Sequence, residues 1–390
     1  MKKISFFALS FCLIVGAGFF LLEDEGERSI ASQSERLVLL EQIPLVKGYE
    51  YRLKNEEKMA YKLANIFKKI ADEAANADGS LNRATHAKGQ CFRGKTQVVF
   101  NQNLSESLKK KLYQGVFSSE REFETMVRFA NAKGEVNKDN VGDVRGMSFS
   151  IDTNGLIVDP MGSSRLDFML NTSPMFAVRN AKEFYELMKA ARLAQGDLSY
   201  IVNPLYFKTI YNASQLLKEF ERDDTKSYAT ERYWSNLPYV HGLNSKRAPQ
   251  EIVKFSASPC LGVQRLKTSN TKLDGNYLQK DIISRAADKG VCFNLQAQLY
   301  DKQKLVKSYG KKLSKWSDKN WIENGGMDWP EKDLPFHTIG KIVIPSGSAP
   351  EDCDQVYFNT RLHSAPEHLP LGSLARIRVI VEEISRSRRQ

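Results

Sequence analysis

A chain of 390 residues, 42% hydrophobic and 26% charged, can bury a large core, which excludes a disordered protein. The net charge of +11 would suit an anionic partner, but the Lys and Arg are scattered among 46 acidic residues and cluster only at Arg386, Arg388 and Arg389. No zinc-ligand spacing or stacking-aromatic pattern accompanies them, so nucleic acid is set aside as a partner and the basic side chains read as solvated surface.

In chain order, Lys2 and Lys3 come first, before an uncharged, mostly apolar run from Ile4 to Leu22 that stops at Glu23-Asp24-Glu25. This is the charge order of a segment whose N-terminus stays in the cytoplasm. The run is long for a signal sequence and barely long enough to span a bilayer as a helix. A cleaved signal peptide and a retained membrane anchor therefore both stand open for residues 1–28. Either one exports the remainder, to a periplasm or to the outer side of the cytoplasmic membrane.

Cys12 lies in this run behind Phe11, where a lipid-attachment site wants a small residue. Cys91, Cys260, Cys292 and Cys353 fit no C-x-x-C pattern. Buried free thiols and a single disulfide are the alternatives, with the pairing open.

Residues 29–78 read as a helical arm. Met59, Leu63, Ile66, Phe67 and Ile70 recur at helical spacing with lysines between them. From residue 79 to 345 the period shortens. Val291, Phe293, Leu295, Ala297 and Leu299 alternate with polar residues, as do Met147, Phe149 and Ile151, and Val253, Phe255 and Ala257. Thr96 to Phe100 and Ile339 to Ile344 are shorter β-branched runs. These are half-buried antiparallel strands.

Helical stretches at Ala181 to Ala194 and Tyr211 to Arg222 break up the strands without regular alternation, which argues against parallel α/β winding. Residues 346–390 read as a wrapping loop closed by a helix from about Leu374 to Ile384. The P-loop-like spacing Gly89-x-x-x-x-Gly94-Lys95-Thr96 lacks a buried strand before it and a helix after it, so it is an accident of spacing.

Arg83-Ala84-Thr85-His86-Ala87-Lys88-Gly89 resembles the distal-histidine segment of catalases. Met126-Val127-Arg128-Phe129-Ala130-Asn131 and Asp143-Val144-Arg145-Gly146-Met147 resemble the segments that follow it, and Leu170-Asn171-Thr172-Ser173-Pro174 resembles the catalytic asparagine segment. Tyr233-Trp234-Ser235-Asn236-Leu237-Pro238-Tyr239 and Pro366-Glu367-His368-Leu369-Pro370 belong to the same series. In this order they are similar to the catalase-related haem peroxidases, in the short form without an extra C-terminal domain.

The resemblance implies an α+β, catalase-like fold: an eight-stranded antiparallel barrel with an N-terminal helical arm, a wrapping loop and a C-terminal helix. It also implies haem b, a hydroperoxide substrate, and roles for particular residues. His86 would be the acid/base that moves a proton between peroxide oxygens, a task that suits imidazole, and Asn171 would anchor the peroxide. Arg83 and Arg128 would hold haem propionates, since a guanidinium fork matches a carboxylate. Phe184 would stack on the porphyrin. For each residue taken alone, a surface, turn or core role is the plainer reading.

The pattern breaks on the C-terminal helix. Catalases ligate iron with a tyrosine four residues after an arginine, and here the arginine is Arg378 and the tyrosine position holds Glu382. A carboxylate can ligate ferric iron, although the simpler expectation is an i,i+4 salt bridge between Arg378 and Glu382. Function therefore divides. One reading is a haem hydroperoxidase acting on hydrogen peroxide or organic hydroperoxides. Another is a catalase-fold protein without haem that binds a small apolar ligand or a protein partner. A third, more remote, is a transformer of fatty-acid hydroperoxides like the allene oxide synthases. Arg83, His86, Arg128 and Asn171 together favour the first; Glu382 favours the second. Oligomeric state leaves no trace in the sequence.

Overall fold

The computed structural model describes residues 43–73, 83–134, 136–193, 227–263 and 274–387, with Lys208 and Tyr211. The apolar N-terminal run and the expected helix that begins at Tyr211 lie outside them. Among the described residues no helix is long and apolar enough to cross a membrane.

Among the described residues there are nine strands, most of them alternating apolar and polar side chains: β1 Gly89–Val98, β2 Arg121–Asn131, β3 Arg145–Asp152, β4 Arg165–Asn171, β5 Tyr233–Trp234, β6 Tyr239–Leu243, β7 Pro249–Pro259, β8 Val291–Leu299 and β9 Phe336–Ile344. Their order is β5-β4-β3-β2-β1-β9-β8-β7-β6. The two-residue strand β5 pairs with β4 through Trp234 and Asn171, and with β7 through Tyr233 and Ala257. It thereby closes an antiparallel barrel of eight strands, with β6 hanging from β7. This is the expected fold. The P-loop-like stretch is part of β1, where no helix N-terminus is available to hold a phosphate.

The barrel interior is a packed aromatic core. Phe149 stacks on Phe168 at 4.7 Å, Phe168 on Tyr239 at 5.7 Å, and Phe129 lies 5.9 Å from Phe293. Such offset and tilted rings add to the gain from burying their area.

The helices are α1 Glu56–Glu73, α2 Glu106–Leu112, α3 Ala181–Leu193, α4 Tyr277–Asp288, α5 Lys302–Tyr309, α6 Asp318–Ile322 and α7 Ser373–Ser387. Within the described part of the N-terminal arm only Glu56–Glu73 is helical; residues 43–55 form turns and extended chain. Of the stripe expected on the arm, Leu63 and Phe67 are buried and Ile70 partly so, while Met59 and Ile66 stay half-exposed and Ala60, Ala64 and Ala71 complete the buried face. Leu63 and Phe67 pack with Ile377, Ile380 and Ile384 of α7 and with Ala181 of α3.

The first turn of α7 is fixed by Arg376, which is fully buried. Its Nε donates to Glu56 at 2.7 Å, and its Nη1 to Glu50 at 2.8 Å and Glu323 at 2.9 Å. Removing one member of such a buried cluster strands the others, at a cost of about 3–5 kcal/mol. Arg376 thus sets where α7 lies and which of its side chains face the barrel.

The cysteines correct the expectation of free thiols or a single bridge. Cys91 is joined to Cys353 and Cys260 to Cys292, with Cα–Cα distances of 5.4 Å in both cases. Antiparallel pairing explains the second bridge, because Cys260 follows β7 directly and its N–H donates to the Cys292 carbonyl on the neighbouring strand. The first ties β1 to the loop that returns over it.

Candidate functional site

Strand register gathers the distal residues. Gly89, Ala130, Gly146, Asn171 and Trp234 form one row across β1 to β5. The adjoining row, Phe129, Met147 and Leu170, belongs to the core. Because side chains alternate along a strand, the Ala130–Gly146–Asn171 row faces the opposite side. That outer face is roofed by the C-terminal loop and α7: the Asn359 N–H donates to Asp167 at 2.9 Å, and its side chain to the Val379 carbonyl at 3.4 Å.

His86 stands over this row. Its backbone takes the left-handed region, φ 57, which a residue other than glycine adopts only where its surroundings hold it. Its N–H donates to the Ala132 carbonyl at 2.9 Å, and its carbonyl accepts from Arg128 Nη2 at 2.6 Å. The ring bonds to the Asn131 carbonyl and lies against Gly146, where a Cβ would meet Cε1 at 3.1 Å and Nδ1 at 3.2 Å. Gly89 is equally constrained, since a Cβ there would meet Arg128 Nη2 at 2.5 Å. Glycine at these two places leaves room for the imidazole and the guanidinium.

Burial, then the charges of Arg128, Arg378 and Arg83, push the His86 imidazole down to about 3. At neutral pH it is a neutral proton acceptor.

Asn171 reaches the same end of the barrel, but its amide is engaged. Nδ2 donates to Asn236 Oδ1 at 2.7 Å, and Oδ1 accepts from the Ser173 N–H at 2.9 Å and from Asn236 Nδ2 at 3.1 Å. Arg83 Nη2 donates to the carbonyls of Cys353 at 2.7 Å and Val356 at 2.5 Å, so the Cys91–Cys353 bridge fixes the loop that holds it. Phe184, partly buried against the core, packs between Phe67, at 6.1 Å, and Phe176, at 5.3 Å.

Opposite lies α7. The salt bridge expected between Arg378 and Glu382 is not formed among the described residues. Arg378 lies over the Phe176 ring, 5.6 Å from its centroid, and Glu382 Oε2 is buried without a hydrogen-bond partner. The two are on one helical turn, but the arginine turns to the aromatic ring and the carboxyl turns inward. Burial raises the Glu382 carboxyl to about 8 against the opposing charge of Arg378, and Asp167 and Glu383 raise it further. A buried acceptor without a donor is costly unless something binds it.

The donor set fits haem in kind. Glu382, largely protonated near neutral pH, would give up its proton to ligate ferric iron as an anionic oxygen, and the guanidinium groups of Arg83 and Arg128 would suit propionates. Among the described residues no group of His, Cys, Asp and Glu side chains is arranged to hold a bare metal ion.

The sequence reading missed Asn236, which the notable φ of 56 and its bonds to Asn171 single out, and Gly146, whose value lies only in what is absent. It left the cysteines open between free thiols and one unassigned bridge, where two bridges are formed. An Asn before Leu-Pro signals a turn and gives no hint of its partner.

Solved structures similar to this chain are catalases. Catalase A from Saccharomyces cerevisiae superposes with a TM-score of 0.60 and 16% identity, over 88% of this chain and 66% of that one. A fungal catalase gives 0.56 and 18%, over 84% and 61%. A bacterial catalase gives 0.58 and 14%, over 100% and 70%. The chain therefore has the catalase fold, and it spans less than two thirds of the length of the first two. No family model matches it, and no curated protein matches it in sequence.

Proposed function

We propose that this protein is an exported haem hydroperoxidase of catalase fold, acting on hydrogen peroxide or a small organic hydroperoxide. The observation that carries the reading is the buried, unpartnered Glu382 Oε2 on α7, at the position where the resemblance puts the iron ligand. Glu382 would ligate the iron, with Arg83 and Arg128 near the propionates. When bound, haem supplies the redox chemistry that cleaves the peroxide bond.

His86, neutral down to a pH of about 3, takes the proton from one peroxide oxygen and returns it to the other. Asn171 has two amide hydrogens and spends one on Asn236, which leaves the second to orient the peroxide. The Lys2-Lys3 and Ile4 to Leu22 segment would deliver the domain outside the cytoplasm.

A second reading, a haem-free catalase fold, is favoured by one observation: Phe184 is committed to Phe67, tilted, and to Phe176, edge-on. Peroxide consumption by protein expressed with its export signal and haem supply decides between the two. Turnover that His86→Ala abolishes supports the hydroperoxidase; absence of turnover in protein that carries haem would overturn it.

A further inference from the structure

Asn236 has no role in the chemistry described so far, yet it is one of the most constrained side chains near the site. It is 2% exposed and sits at φ 56, a region that asparagine tolerates better than most residues and glycine tolerates freely. Its Oδ1 accepts from Asn171 Nδ2 at 2.7 Å. Its Nδ2 faces Asn171 Oδ1 at 3.1 Å and the Met175 carbonyl at 3.2 Å, and also donates to the Ser173 carbonyl.

We infer that Asn236 is the positioning residue for the peroxide anchor: it locks the Asn171 amide in one sense, so that a single N–H is left to meet the hydroperoxide. This deepens the hydroperoxidase reading and rests on it. An amide side chain can turn over and exchange oxygen for nitrogen. At Asn171 that is blocked twice, because the Ser173 N–H at 2.9 Å requires an oxygen and Asn236 Oδ1 requires a donor. The register that pairs Asn171 with Gly146, against which the His86 ring lies, brings the remaining N–H to the end of the barrel where the imidazole works. A misturned amide would present an oxygen, which can only accept from the peroxide O–H and cannot donate to a peroxide oxygen.

The test combines Asn236→Gly, which keeps the backbone conformation and removes the amide, with Asn236→Asp, which keeps the shape and removes the donors. In haem-supplied protein with unchanged circular dichroism and haem content, each is expected to lower kcat/KM for hydrogen peroxide about tenfold, the effect of one well-placed hydrogen bond. Because Asn236 acts through Asn171, the double variant Asn171→Ala/Asn236→Gly should be no slower than Asn171→Ala alone. Losses that simply add would overturn the inference and leave Asn236 as a fold residue.

A second measurement stands apart from turnover: exchange of the Asn171 side-chain amide hydrogens, followed by NMR with and without haem. One slow hydrogen is expected in the wild type and none in Asn236→Gly. If the wild type binds no haem and consumes no peroxide, the hydroperoxidase reading falls, and with it the role assigned here. If turnover exists but both Asn171 hydrogens exchange fast in the wild type, only the role of Asn236 falls.

Discussion

The His86 imidazole rests on the α-carbon of Gly146, so close that a Cβ added there would stand 3.1 Å from Cε1. Gly146 in turn is paired in register with Asn171. A residue without a side chain is thus what brings the proposed base and the proposed anchor to one place. Gly146→Val should push the ring away and overpack the site, costing about 1–3 kcal/mol of stability with a larger loss of peroxide turnover. Urea midpoints and turnover measured together check it; a valine variant with full turnover would mean that His86 works elsewhere.

In the proposed reaction His86 would carry the acid–base step. His86→Ala is expected to lower peroxide turnover by about two to four decades. The imidazole is held at about 3, so its own titration should leave no acid limb between pH 5 and 8 in the wild-type rate profile. Asn171→Ala should cost less, because it orients and transfers no proton.

Two buried groups should make stability depend on pH in opposite senses. His241 is fully buried and burial lowers its imidazole to about 4. The unfolded chain therefore binds the extra proton as pH falls below the ordinary histidine range, and stability is lost there, by roughly 2 kcal/mol at pH 5. Glu382 is raised to about 8; in the protein without haem its contribution is fully present below the ordinary carboxylate range, is lost as pH rises from there to about 8, and is flat beyond. His241→Gln should flatten the acid side of the urea-midpoint profile, and Glu382→Gln the alkaline side. Unchanged profiles would mean that neither group is held as described.

The disulfides make a direct count possible. Denatured without reductant, the chain should show no free thiol from Cys91, Cys260, Cys292 or Cys353, and one from Cys12 where the N-terminal segment is retained. Reduction should destabilise by about 3–5 kcal/mol for the Cys91–Cys353 bridge, whose partners are 262 residues apart. It should also loosen Arg83, which is bonded to the Cys353 and Val356 carbonyls.

What the sequence disclosed is what local pattern controls. The period-2 alternation in Val291–Leu299 and around Phe149 marks strands that are observed as β8 and β3, and the Leu374 to Ile384 stripe marks α7. Ring closure was legible only through resemblance, because the closing strand, Tyr233–Trp234, is two residues long and carries no period. Partner choice across long separations was not legible either. Nothing near Arg378 says that it will lie over Phe176 and leave Glu382 alone, and nothing near Cys91 names Cys353. Asn236 stands out in the sequence only as part of a resembling segment, and its contact with Asn171 lies across 65 residues.

The central proposal is that the buried Glu382 carboxyl on α7 would ligate the haem iron. The measurement that tests it most directly is the haem content per chain and the Soret spectrum of the wild type, Glu382→Ala and Glu382→Tyr, expressed under equal haem supply. A wild type with one haem per chain, a Glu382→Ala variant that loses it, and a Glu382→Tyr variant that keeps it with a spectrum altered by phenolate ligation are expected, since the charge of the nearby Arg378 favours the ionised phenol. A wild type without a Soret band, or full loading that survives Glu382→Ala, would contradict it.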